Sequence, residues 1–165
     1  MKNKETYMKR FLLMIPMVLL LLTACGSKQA PSAEIPGDGA LEIPVSELSE
    51  KIQIYSFTLD GLNMEVLAAK DADGTVRTAF NTCQVCNGSR KAYFQEEGDH
   101  VVCQNCGNSF SKEDVGVLSG GCNPYPIFPE DRADTEDTVT ISYDFLKSAE
   151  GLFTRWKENS PAGSQ

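Results

Sequence analysis

Between Thr82 and Pro126 the chain reads TCQVCNGSRKAYFQEEGDHVVCQNCGNSFSKEDVGVLSGGCNPYP. Two Cys-x-x-Cys pairs, Cys83/Cys86 and Cys103/Cys106, stand sixteen residues apart, the spacing of a four-thiolate metal site. Two sulfurs so close in sequence can face one ion only if the backbone turns tightly after the second cysteine. Asn87-Gly88 and Gly107-Asn108 are placed to make those turns, because Gly and Asn tolerate positive φ. Between the pairs, Lys91–Gln95 and His100–Val102 read as short strands joined at Glu97-Gly98-Asp99. Such a hairpin brings the two pairs together. Disulfide-type pairs or free core thiols are the plainer readings of the same residues.

Outward from this stretch, the N-terminus has a different character. Lys2, Lys4, Lys9 and Arg10 precede an apolar run of twelve residues, Phe11–Leu22. That run is short for a membrane span, which takes about 20 residues, and fits a secretory signal. It ends in Leu22-Thr23-Ala24-Cys25, followed by Gly26-Ser27, the lipobox pattern of bacterial lipoproteins. Residues 1–24 are therefore expected to be a signal peptide, and Cys25 the lipidated N-terminus of a chain held outside the cytoplasm on the cell membrane. Ser27–Ala40, rich in Ala, Pro, Ser and Gly, reads as a tether, so that 25–40 is anchor and linker.

Charge and cysteine parity narrow the classes. The full chain carries a formal −8. Removing residues 1–24 takes away four basic residues and one acidic residue, which leaves −11. So acidic a chain is unsuited to nucleic acid, whose phosphates need Lys and Arg. Apart from Cys25 there are five cysteines. Four ligands plus Cys122 account for an odd number better than a disulfide framework does. The signal contains Lys9-Arg10 and no Arg-Arg pair, which implies export of an unfolded chain and metal uptake outside. A tetrathiolate suits zinc and iron alike.

A domain over 41–158, followed by a frayed tail at 159–165, is expected to be mainly β (α+β). A small antiparallel meander is predicted from Lys51–Leu59, Leu62–Ala68 and Thr75–Phe80, with turns at Asp60-Gly61 and Asp71–Gly74. The Asp71-x-Asp73-Gly start resembles a calcium loop but lacks the later Glu. The zinc-ribbon-like hairpin follows. Gly120-Gly121-Cys122-Asn123-Pro124 is a dense turn able to aim one thiol. Asp131–Asp137 reads as an acidic loop and Thr138–Ile141 as a strand. Ser142 can cap one C-terminal helix whose apolar face is Phe145, Leu146, Ala149, Leu152, Phe153 and Trp156. His100, the sole histidine, is expected at the surface.

Three segments together, Ala79–Cys86, Val102–Gly107 and Gly120–Pro124, resemble the FtrD-like membrane iron–sulfur family, a prokaryotic family associated with iron-uptake permeases. The resemblance runs over roughly Leu41 to Phe153. It implies that Cys83, Cys86, Cys103, Cys106 and Cys122 all belong to a metal site, and that the chain works beside an iron permease complex by handling electrons or metal. The cofactor so implied is an iron–sulfur cluster, with a single iron or zinc ion as the simpler occupant. An adaptor with a purely structural zinc ribbon is one alternative. A thiol–disulfide oxidoreductase is another, although neither Cys-x-x-Cys pair lies in a βαβ context. Nothing in the sequence resembles a catalytic triad.

Overall fold

A computed structural model describes residues 33–157 and 159 of the chain. The signal-peptide and lipidation readings, on residues 1–24 and Cys25, lie outside them. The described residues form three small sheets and one α-helix. Strand β1 is Ala33–Glu34, β2 Ala40–Pro44, β3 Gln53–Leu59, β4 Leu62–Lys70 and β5 Val76–Cys83. They are followed by β6 Phe94–Glu97, β7 His100–Cys103, β8 Ser109–Ser111, β9 Pro124–Pro126, β10 Ala133–Asp134 and β11 Thr138–Ser142. The helix α1 is Tyr143–Ser148.

The predicted meander is the centre of the first sheet, whose order is β1-β3-β4-β5-β9. Asp60 and Gly61 both adopt positive φ, +49° and +79°. That is the two-residue turn whose twist suits adjoining antiparallel strands. The Asp71–Gly74 turn is closed by the Asp71 N–H donating to the Thr75 carbonyl at 2.9 Å. Asp71 pairs with Arg77 at 2.8 Å and acts as a turn residue. Strand β5 runs three residues beyond the predicted end at Phe80, so Cys83 is its last residue. Strand β9 pairs antiparallel with β5 across an irregularity between Phe80 and Cys83, which sets Pro124 opposite Cys83.

The second sheet, in the order β10-β11-β2, carries the C-terminal strand. The third, β6-β7-β8, is the metal-ribbon hairpin plus one more strand. Gly98 turns it at φ +64°. Its first strand begins at Phe94, not Lys91. Residues 91–93 are held instead in a turn by Ala92 N–H to Ser89 O and Tyr93 N–H to Lys91 O.

Three further boundaries differ from expectation. The segment read as tether is already on the first sheet at Ala33–Glu34, paired parallel with Phe57–Thr58. Short polar strands of this kind leave no hydrophobic period to read. The acidic loop 131–137 contains β10, which pairs with β11. The helix stops at Ser148 and continues as a 3₁₀ turn, Glu150–Leu152. Gly151 lowers helix propensity there, and the Ser148 hydroxyl donates to the Phe145 carbonyl at 2.6 Å. The predicted apolar face nevertheless packs inward: Leu146, Ala149, Phe153 and Trp156 are buried.

Alternation along β4 and β5 creates two cores. Met64, Val66, Ala68 and Phe80 face one side, where they meet Phe57, Ile127, Val139, Ile141, Leu146, Phe153 and Trp156. Leu67, Ala79 and Cys83 face the other, against Ala92, Phe94, Val101, Cys103 and Val115. The hairpin thus lies on the back of the meander, and two cysteines, Cys83 of β5 and Cys103 of β7, are core residues.

Candidate metal centre

Each cysteine pair begins on the last residue of a strand. Cys83 ends β5 and Cys103 ends β7, so rigid ladders fix where both backbones start to turn. In the first turn the Cys83 sulfur accepts the Cys86 N–H at 3.3 Å and a second N–H from Val85. In the second turn the Cys103 sulfur accepts N–H groups from Cys106 and Asn105, and Cys106 accepts one from Asn108. Backbone donors converging on sulfur favour the thiolate that a metal requires.

The second turn closes as expected, with Gly107 at φ +75° and its N–H on the Cys103 carbonyl at 2.8 Å. The first does not. Neither Asn87 nor Gly88 adopts positive φ. The Asn87 amide closes the turn instead, donating to the Gln84 carbonyl at 2.8 Å. One dipeptide ties the turns together. The Ala92 carbonyl accepts the Cys83 N–H at 3.1 Å, and the Tyr93 carbonyl accepts the Gln104 N–H at 2.8 Å.

The Gly120–Asn123 turn brings in the fifth thiol. Gly120 and Gly121 have φ of +93° and +67°. The Gly120 N–H donates to Gln84 Oε1 at 3.0 Å, which fastens this loop to the first cysteine turn. The Cys83 thiol lies 3.6 Å from the Cys122 carbonyl. Asn123 Nδ2 donates to the Gly120 carbonyl at 3.0 Å. Its Oδ1 is the one buried side-chain oxygen or nitrogen without a hydrogen-bond partner among the described residues.

The outcome is two overlapping triads. The sulfurs of Cys83, Cys86 and Cys122 lie within 4.8 Å of one another, as do those of Cys86, Cys103 and Cys106. Four thiolates around a zinc or iron ion at about 2.3 Å stand about 3.8 Å apart, so a small inward movement suffices for coordination. The donor set therefore fits a metal-thiolate or iron–sulfur group. None of the five is in a disulfide, and neither triad includes His100, which is exposed on β7.

Access to the centre is graded. Cys83 and Cys103 are buried, Cys86 and Cys122 are half-buried, and Cys106 is exposed. Burial pushes the Cys83 and Cys103 thiols up from the ordinary cysteine value, against the pull of their backbone donors. Cys106 is held below that value, chiefly by the Asn108 N–H.

Sequence reasoning found all five thiols but missed what supports them. Asn81, buried on β5, accepts the Phe94 N–H on Oδ1 at 2.8 Å and donates from Nδ2 to Glu65 at 2.8 Å. Its carbonyl accepts the Trp156 indole N–H, also at 2.8 Å. A Glu inside one predicted β-strand and an Asn just past the end of another were the available signals, since buried polar side chains need partners.

Five thiols converging on small β-sheets form a cluster that could hold a thiophilic metal. The sequence model of the family described as membrane iron–sulfur containing protein, FtrD-like, matches residues 48–153, all five thiols included. The chain belongs to this family. No curated protein and no solved structure matches it. The family description is of a membrane protein that contains iron–sulfur. Among the described residues no helix is long and apolar enough to cross a membrane.

Proposed function

We propose that the chain is a membrane-anchored, extracytoplasmic lipoprotein whose five thiols hold an iron–sulfur cluster, or a single iron or zinc ion, and that it serves iron uptake by handling electrons or metal. The observation that carries this reading is the convergence of Cys83, Cys86, Cys103, Cys106 and Cys122 into two triads, in a family described as containing iron–sulfur. The lipobox ending at Cys25 supports the anchor and the side of the membrane. With iron bound, the group supplies one-electron transfer. The chain's part is to fix the sulfurs on strand ends, aim backbone N–H groups at them, and leave Cys106 at the surface as an edge for exchange. An iron permease complex is the proposed partner.

A structural role for the metal is favoured by a different observation: Cys83 and Cys103 are themselves core residues, so an ion there also staples the hairpin. The readings separate in one experiment. The full chain, purified anaerobically from membranes, is analysed for metal and its visible spectrum followed on adding dithionite. A band that bleaches reversibly supports electron handling. Stoichiometric zinc with no such band would overturn it in favour of the staple. In parallel, Cys25→Ala should leave the membrane fraction or accumulate unprocessed, and normal processing with membrane retention would refute the anchor.

A further inference from the structure

A single ion bound to protein thiolates takes at most four of them, and five are offered here. The fifth is not an outlier. Cys122 stands with Cys83 and Cys86, whereas Cys103 and Cys106 stand with Cys86 on the other side. Cys86 is the one sulfur common to both triads. Its backbone N–H already donates to the Cys83 sulfur, so its position is set by the first turn whichever neighbours it serves. A thiolate has lone pairs enough to bind two metals at once.

Charge argues in the same direction. Ligating cysteines are thiolates. Five thiolates on one divalent ion would leave three uncompensated negative charges in a partly buried site, which is costly. A second divalent ion leaves one. The buried Asn123 oxygen without a partner belongs to the residue next to Cys122, so the triad that Cys122 completes has an unused oxygen nearby in the chain.

We infer that the centre is dinuclear: one thiophilic transition-metal ion sits in each triad, and Cys86 is the thiolate shared between them. This rests on the metal-thiolate reading above and fixes its nuclearity. Cys83 and Cys122 complete one site, and Cys103 and Cys106 the other. Cys122 thereby has a task that a one-ion tetrathiolate would deny it.

The test uses cobalt(II) as probe on the full-length protein in detergent, reduced and stripped of metal, under anaerobic conditions. The wild type should bind two equivalents, one per triad. The paramagnetic resonance signal per cobalt should fall as the second equivalent enters, because a shared thiolate couples the two spins. Cys122→Ser should hold one equivalent, with full signal, on the remaining four thiolates. Cys86→Ser should weaken both sites at least tenfold, since each loses its common ligand. Saturation of the wild type at one equivalent, or two equivalents with additive uncoupled signals, would overturn the dinuclear inference while leaving the metal-thiolate reading intact. A wild type that binds no cobalt would overturn both. The wild-type stoichiometry and coupling stand whether or not either variant folds.

Discussion

Replacing Asn81 by Ala tests whether the support beneath the thiols matters as much as the thiols. The side chain joins two elements that share no continuous ladder: Oδ1 takes the N–H of Phe94, the first residue of β6, and Nδ2 donates to Glu65 on β4. Asn81 is fully buried and Glu65 is 5% exposed. Truncation leaves the Phe94 N–H and one Glu65 oxygen without partners. Each buried polar group so orphaned costs about 1–3 kcal/mol. Glu65 keeps Lys157 at 2.7 Å and Ser56, so its share falls at the low end. The sum is about 2–5 kcal/mol, or roughly 10–20 °C in melting temperature for a domain of this size. The loss should also reach the centre, because Phe94 follows directly on Ala92 and Tyr93, whose carbonyls hold both cysteine turns. Denaturant unfolding followed by tryptophan fluorescence, with metal content measured on the same samples, reads both effects. Trp156 is the reporter, its indole bonded to the Asn81 carbonyl. A loss below about 1 kcal/mol with metal unchanged would refute the reasoning: water would then have replaced the amide.

Two further outcomes follow from local geometry. Gly116→Ala should destabilise and displace the loop that carries Cys122. Gly116 sits at φ +74°, and a Cβ there would meet the Thr78 carbonyl oxygen at 2.5 Å. The left-handed conformation alone costs about 1–2 kcal/mol, and a drop of melting temperature smaller than that implies would count against the packing. Asp60→Asn should flatten part of the acid limb of the stability curve. Lys147 and then Tyr143, both bonded to the Asp60 carboxylate, hold its pKa below the usual carboxylate value. The stability this contributes is present above the unfolded-state value near 4 and is lost as pH falls through the depressed folded value. Melting temperatures of the two proteins should therefore converge in acid and in high salt, since the pair is exposed. Asn tolerates the positive φ at this turn, so a gap that stayed constant from neutral to acid pH would contradict the assignment.

The sequence made the centre legible and its surroundings less so, for physical reasons. The Cys-x-x-Cys spacing is local, and the strands are marked off by the Asp60-Gly61, Asp71–Gly74 and Glu97–Asp99 turns, so the meander, the hairpin and the five thiols could all be read. Strands β1, β8 and β10 are two or three residues long, and their pairing is decided by tertiary contact that no periodicity records. Residues 91–93 look like strand by composition but are needed as a turn, because their carbonyls must point at the two cysteine loops. The first knuckle was expected to close on backbone freedom at Asn87-Gly88 and closes on the Asn87 side chain instead. Both solutions use the same residue types, so composition cannot separate them. Asn159, expected to fray, donates from its amide to the Asn63 carbonyl at 2.7 Å, a contact across ninety-six positions.

The two cores differ in how they involve the thiols. The larger core joins Phe57, Phe80, Phe153 and Trp156 with aliphatic side chains from the first sheet and from the β10-β11-β2 sheet, and contains no cysteine. It fixes β5 and hence the backbone at Cys83. The smaller core has only Leu67, Phe94, Val101 and Val115 as large buried side chains, and its remaining members are Ala79, Ala92, Cys83 and Cys103. At about 25 cal/mol per Å² of apolar surface, four such side chains are slight support for a three-stranded sheet and the two cysteine turns beside it. The five thiols, whose bonds to a metal would be worth far more per residue, fall where apolar burial is thinnest. A well-packed meander on one face and a thinly packed, thiol-rich hairpin on the other is therefore the division this sequence encodes: the first holds the backbone of Cys83, Cys86 and Cys122 in place through β5 and β9, and the second closes over them from β7.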